Sequence, residues 1–195
     1  MSKLKVYADR GSEPSRAIII FCNHAILRYL ACSSPGIADH WYPADVFAQA
    51  KINSVLDWHH SNLRRGGVAL IRNSVLARAI GVPPNPEAAA EGEKLLSSSL
   101  SQIESFWLEG NSKFLCGLSR PSIADLSLVC QIMQLEFLNE EDRERILGPH
   151  EKVLQWIKNL KDETNPHFEE VHEVLAKVRA LLQQMGSSTE LASEL

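Results

Sequence analysis

Apolar residues recur at helical spacing along most of this chain, and the clearest case lies behind Ser122. The apolar positions there fall on one face of a helix and comprise Leu126, Val129, Cys130, Met133 and Phe137. Such a stripe is typical of a helix that packs against a core. The segment 114–137 therefore predicts a central, buried helix.

The start of that helix carries its own signal. Ser122 and Asp125 stand three residues apart, which is the spacing of a capping box. The Ser122 hydroxyl can accept a bond from the free backbone N–H of Asp125, while the Asp125 carboxylate reaches back to the cap. Pro121 disfavours helix immediately upstream.

Similar stripes predict helices over most of the remaining sequence. They run from Ala44 to near Gly66-Gly67, from Ala69 to Ile80, from Asn85-Pro86 to Gly110-Asn111, around 153–160 and from Asn165-Pro166 onward. Strand signals are absent after Ala8. Residues 44–185 are therefore predicted to form an all-helical domain.

The N-terminal part reads differently. Leu4 to Ala8 alternates as a short strand does, and no glycine or proline lies between Pro14 and Pro35, so Pro14 to Ser33 reads as one helix. A single strand has no partner in its own sheet. We therefore expect residues 1–34 to form a strand-like arm plus a helix, followed by a linker at 35–43, with a disordered tail at 186–195.

Composition and charge exclude several classes of function. The chain has 195 residues, is 45% hydrophobic and carries a net charge of −4. No basic run exceeds Arg64-Arg65, so neither nucleic acid nor a membrane surface is expected as a partner. The apolar run 17–22 is too short for a membrane span or a signal-peptide core, which indicates the cytosol.

Cysteine and histidine spacing gives no metal site. Cys22, Cys32, Cys116 and Cys130 lack a C-x-x-C pattern and are expected to be free thiols. The pair His59-His60 has no partner one turn away and is interpreted as polar helix surface or interface rather than as a ligand pair. We expect no metal.

The amino-acid sequence of three stretches resembles that of the plant theta-class glutathione transferases. They are FLCGLSRPSIADLS in the central segment, KLKVYADRGSEPSR at Lys3 to Arg16, and Asp39 to Arg65. The resemblance implies the family's helical C-terminal domain together with a thioredoxin-like N-terminal domain. In this chain Cys22 runs directly into Asn23-His24-Ala25, and the family's middle section, with its proline loop, is missing. The fold class expected is thus mainly α, with a truncated N-terminal part.

The same resemblance implies site residues. Ser12 matches the serine that holds the glutathione sulfur, and Arg64 matches an arginine facing the substrate cleft. The family's Glu-Ser-His motif implies Asn23 and His24 for the γ-glutamyl end, but its glutamate position is Cys22 and its serine position is Asn23 in this chain. Simpler interpretations remain open. Ser12 can be a helix cap, Ser15 can replace it, and Arg64 can be a solvated residue at a helix end.

Two functions follow from these observations. The resemblance implies a homodimeric transferase that joins glutathione to small electrophiles or reduces organic hydroperoxides. The missing section favours instead a non-catalytic helical protein that binds apolar ligands or a partner subunit. A third possibility is pairing with a full-length relative.

Overall fold

A computed structural model of the chain describes residues 24–110 and 112–193. The predicted strand Leu4 to Ala8, the candidate residues Ser12 and Asn23, and Cys22 lie outside the described residues. Predictions that concern them stay predictions.

Eight helices form the described part of the chain. They are α1 (24–33), α2 (Val46–Ser61), α3 (Leu63–Ile71), α4 (Pro86–Gln102), α5 (Ile123–Ile132), α6 (Glu140–Leu147), α7 (Glu151–Thr164) and α8 (His167–Ser193). Helix α3 continues through a π-helical turn (Arg72–Leu76) and a short helix (Ala77–Ala79), α4 ends in a second π-helical turn (Ile103–Trp107), and α5 ends in a 3₁₀ turn (Met133–Phe137). Two further 3₁₀ turns lie at Asp39–Trp41 and Leu115–Gly117. Residues 24–110 and 112–193 contain no strand, which confirms the mainly α fold class.

The predicted helix starts are confirmed where the sequence carries a cap. The Asn85 side chain accepts the Ala88 N–H at 3.0 Å, and Pro86 opens α4. The Ser122 hydroxyl accepts the Ala124 N–H at 3.2 Å and completes a capping box with Asp125. These side chains satisfy backbone donors that a helix leaves free in its first turn.

The prediction that one helix ends near Gly66-Gly67 is wrong. Helix α2 already ends at Ser61, and both glycines lie inside α3. A Cβ on Gly66 would lie 2.6 Å from the backbone nitrogen of Leu96 in α4, and a Cβ on Gly92 would lie 2.6 Å from that of Leu70. The glycines therefore permit α3 and α4 to cross in backbone contact.

Helix α5 buries a different face from the one predicted. Of the predicted stripe, Val129 is buried, Leu126 is half-buried and Cys130 is exposed. The buried apolar face consists of Ile123, Ala124, Leu128, Val129, Ile132 and Leu135. Both faces are apolar in the sequence, and packing against α2 and α3 decides between them.

Asp125 is the polar centre of the core. Its side chain is fully buried and accepts the Leu115 N–H at 2.9 Å and the Trp156 indole N–H at 2.8 Å through Oδ1. Through Oδ2 it accepts the Ser122 N–H at 2.8 Å and the Ser122 hydroxyl at 2.9 Å. Burial raises the pKa of Asp125, while these hydrogen bonds lower it. One carboxylate thus joins α5, α7 and the Leu115–Gly117 turn.

Helix α6 has no counterpart among the helices predicted from the sequence. Asn139 caps it by accepting the Asp142 N–H at 2.7 Å, and its first turn is acidic, so the local signal was present. Helix α8 follows a cis Asn165-Pro166 bond and its backbone continues to Ser193, into the predicted tail 186–195. The domain boundaries stay predictions. None of the helices in the described ranges combines the length and apolar character that crossing a membrane requires.

Candidate functional site

Two of the four predicted site residues lie in the described part of the chain. His24 opens the described part of α1 and is 5% exposed, and Arg64 lies in the first turn of α3. The charge of Arg64 acts on His24, so the two residues share one neighbourhood.

Between them lie two histidines of α2. The ring centroid of His24 is 4.8 Å from that of His60 and 5.8 Å from that of His59, and the His59 and His60 centroids are 5.5 Å apart. We call His24, His59 and His60 the histidine cluster. His59 is only 1% exposed and shares the buried face of α2 with Ile52, Val55 and Leu56. Of the two predicted locations of the pair, polar helix surface or interface, the surface is therefore wrong for His59.

The histidine cluster is held in the neutral state. Burial, followed by the charges of His24, His60 and Arg64, lowers the pKa of His59 to about 3. Burial, followed by the charges of His60 and Arg28, lowers the pKa of His24 to about 4. Each ring is therefore uncharged at neutral pH.

Several buried nitrogens of the cluster lack hydrogen bonds. Among the described residues, neither ring nitrogen of His59 has a hydrogen-bond partner, and Nε2 of His24 has none. A neutral imidazole offers one donor and one acceptor, and leaving either unmade in the interior is costly. Such atoms are rare in folded proteins and call for an explanation in function or bound molecules.

A cavity of about 180 Å³ opens beside His59. It lies between α1, α2 and α5. Its lining consists of Leu27, His59, Leu126, Ser127, Cys130, Gln131 and Gln134. The surface is mainly apolar with a few polar groups, which is the usual character of a small-molecule site.

This neighbourhood offers a charge and polar groups that can recognise a ligand. Within residues 24–110 and 112–193, no group of three or more histidine, cysteine or acidic side chains is arranged to hold a metal ion. Arg64 places a permanent positive charge beside neutral rings, which favours an anionic group such as a carboxylate. Cys32, Cys116 and Cys130 are free thiols, as predicted.

Trp58 and Trp107 pack at the boundary of the core. Trp107 is buried, its ring centroid lies 6.0 Å from that of Trp58, and the Trp58 indole N–H donates to Gln102 Oε1 at 3.0 Å. Such amphipathic rings suit the boundary of a core.

The sequence matches no protein-family model. Among curated proteins it is similar to glutathione S-transferase T1 of Arabidopsis thaliana, with 49% identity covering 94% of each chain. It is also 45% identical to glutathione S-transferase T3 and 46% identical to T2 of the same plant, over 93% of this chain in each comparison. The chain spans only 38% of the length of these two relatives.

Solved structures show the same similarity in three dimensions. Human glutathione transferase theta-2, in complex with glutathione and an unknown ligand, superposes with a TM-score of 0.72 at 26% identity, covering 85% of this chain and 65% of that one. The W234R mutant of human glutathione S-transferase T1-1 superposes with a TM-score of 0.70 at 27% identity, covering 80% of this chain and 63% of that one.

Proposed function

Because this chain belongs to the theta-class glutathione transferase family, we propose that it joins glutathione to small electrophiles or reduces organic hydroperoxides. The observation that carries the proposal is the similarity to glutathione S-transferase T1, which extends over 94% of that relative. The solved theta-2 structure with glutathione supports the choice of co-substrate.

In this proposal Ser12 stabilises the glutathione thiolate. A hydroxyl beside a helix N-terminus donates to the anion and favours it over the thiol. Lowering a thiol pKa from about 8.5 by two units requires about 2.7 kcal/mol of preferential stabilisation. A hydrogen bond to a charged acceptor, together with the helix end, can supply this amount.

Asn23, His24 and Arg64 complete the proposed site. Asn23 and His24 bind the γ-glutamyl end of glutathione, and Arg64 receives an anionic group of the substrate. The described geometry supports grouping His24 with Arg64, because the Arg64 charge reaches the His24 ring. The proposal further includes a homodimer that works in detoxification in the cytosol.

A second function is favoured by a gap of this chain in the alignment to T1. The alignment to T1 covers 229 positions, but 94% of this 195-residue chain amounts to only about 183 residues, so the remaining positions are gaps in this chain. A gap of this kind supports the expectation that the family's middle section is missing after Cys22. A chain without that section supports the alternative of a non-catalytic protein that binds ligands or a partner subunit.

The deciding experiment is calorimetric titration with glutathione together with conjugation to an aryl halide. At a pH near 6.5, Ser12→Ala should lower conjugation by roughly fiftyfold, because the thiolate fraction falls when the thiol pKa returns to its usual value. Ser15→Ala is the matched control and should leave the rate unchanged.

The outcomes separate the two candidates. Binding heat with loss of conjugation in Ser12→Ala supports the transferase. A larger loss of conjugation in Ser15→Ala than in Ser12→Ala would assign the contact with the glutathione sulfur to Ser15 instead. Absence of both heat and conjugation refutes the transferase and leaves the non-catalytic alternative.

A further inference from the structure

The cavity beside His59 combines an apolar lining with an unpartnered buried polar group. Leu27, Leu126 and Cys130 supply apolar surface, while Ser127 and Gln134 add polar atoms to the lining. His59, at 1% exposure, is part of the same wall and both its ring nitrogens lack partners. The interior thus holds unused hydrogen-bonding capacity next to open volume.

We propose that this cavity binds a small neutral aromatic alcohol, a monophenol, whose hydroxyl donates to the imidazole of His59. The volume of about 180 Å³ suits a single six-membered ring with a substituent, since an apolar cavity of about 150 Å³ is enough to bind benzene.

His59 is the natural acceptor for such a hydroxyl. Its ring is neutral, so one nitrogen carries a free lone pair and the other an N–H. The torsion that turns an imidazole about its Cβ–Cγ bond is soft, so the ring can turn to present a nitrogen to a bound ligand. A ligand hydroxyl then meets a hydrogen bond that the folded chain leaves unmade.

The lining also indicates that the ligand is uncharged. Among the described residues that line the cavity, His59 is neutral and no other side chain is acidic or basic enough to carry a charge at neutral pH. Transferring an ion to such a place is expensive without a partner charge, whereas a phenol, with a pKa near 10, enters in its neutral form. The inference does not depend on Ser12 or on glutathione, and its test is run without glutathione.

Cys130 provides a direct reporter of occupancy. Cys130 lines the cavity and is exposed, although burial raises the pKa of its thiol. Cys32 on α1 is also exposed but does not line the cavity. The purified full chain is treated with iodoacetamide in the presence of phenol or benzene, and alkylation of each cysteine is measured by peptide mass spectrometry. Cys32 is thus an internal control in the same molecule.

We expect phenol to slow alkylation of Cys130 and to leave Cys32 unaffected. Half-protection should need roughly fivefold less phenol than benzene, which corresponds to one net hydrogen bond. Equal protection by the two ligands, equal protection of Cys32, or no protection up to the solubility limit would each overturn the proposal.

Two variants test the assignment to His59 and to this cavity. His59→Phe keeps the aromatic wall but removes the nitrogens, so the advantage of phenol over benzene should vanish. Leu126→Trp fills the cavity and should abolish protection by both ligands. If His59→Phe does not fold, the wild-type comparison and Leu126→Trp still decide; protection that survives in Leu126→Trp contradicts the site.

Discussion

Replacing Asp125 by asparagine tests whether one buried carboxylate holds the core together. Asp125→Asn keeps the size of the side chain but exchanges one acceptor oxygen for an NH₂ group. All four groups that bond to the carboxylate in the structure act as donors. The NH₂ group of the asparagine therefore faces at least one donor with which it cannot form a hydrogen bond.

The least costly orientation follows from the geometry. The Leu115 and Trp156 donors at Oδ1 cannot reverse, so the amide oxygen must stay there. At the Oδ2 position the Ser122 hydroxyl can turn and accept, but the Ser122 backbone N–H loses its partner.

Two effects lower the free energy of unfolding of Asp125→Asn, and a third partly compensates for them. A lost bond to a charged acceptor costs about 1.5–3 kcal/mol, and the two bonds that remain at the amide oxygen weaken from charged to neutral strength. Removing a buried charge returns part of this. We expect the free energy of unfolding to fall by about 2–4 kcal/mol, a large share of the total for a small domain.

The assay is urea unfolding followed by circular dichroism, with the slope compared between variants. Asp45→Asn is the matched control: Asp45 caps the exposed start of α2 by accepting the Ala48 N–H at 2.7 Å, and asparagine caps as well as aspartate. Asp125→Ala should be more damaging than Asp125→Asn because every donor loses its partner. A change below about 1 kcal/mol in Asp125→Asn would refute the reasoning, since a single hydrogen bond is worth that much.

Two further predictions concern pH and helix crossing. Since the lowered pKa values of His24 and His59 keep both rings neutral in the folded chain, the unfolded chain alone takes up protons as pH falls below about 6.5, and stability is lost progressively toward their folded pKa values of about 4 and 3. Between pH 7.5 and 5.0 we expect the free energy of unfolding, measured with urea, to fall by about 2 kcal/mol per ring. The double variant H24Q/H59Q should show a smaller fall, whereas the exposed control His167→Gln should behave as the wild type does. An unchanged pH dependence in the double variant would contradict this. Gly66→Ala should destabilise by about 1–3 kcal/mol because its Cβ meets the backbone of α4, whereas Gly67→Ala, which meets only the end of a glutamine side chain at 3.1 Å, should lie within about 1 kcal/mol of wild type. The melting temperatures of Gly66→Ala and Gly67→Ala are compared by thermal denaturation, and equal values would disprove the backbone contact.

Local chemistry explains which parts of the fold were predictable. Asn85 with Pro86, and Ser122 with Asp125, set helix starts through bonds to backbone within three residues, so the sequence contains the whole interaction. Gly66 illustrates the opposite case. A glycine that ends a helix and a glycine that lets two helices cross look the same along the chain, and only the distant Leu96 distinguishes them.

The candidate site shows the same limit. The family resemblance selected His24 and Arg64, and the structure brings them into one neighbourhood. The pair His59-His60 is interpreted from the sequence as polar helix surface or interface because its members point to different helix faces and have no partner one turn away. His59 nevertheless shares the buried face of α2 with Ile52, Val55 and Leu56, and its helical spacing behind these residues is the local signal for its burial.

The position of Asp125 also bears on how the chain folds during its synthesis. Its carboxylate meets Leu115 and Ser122 before it in sequence, but the Trp156 indole lies 31 residues later. A nascent chain that has not yet released Trp156 from the ribosome cannot complete this set of bonds, so the core acquires its last polar partner late. Because domains generally fold as units while translation proceeds, the bundle should gain resistance to protease only once α7 has emerged.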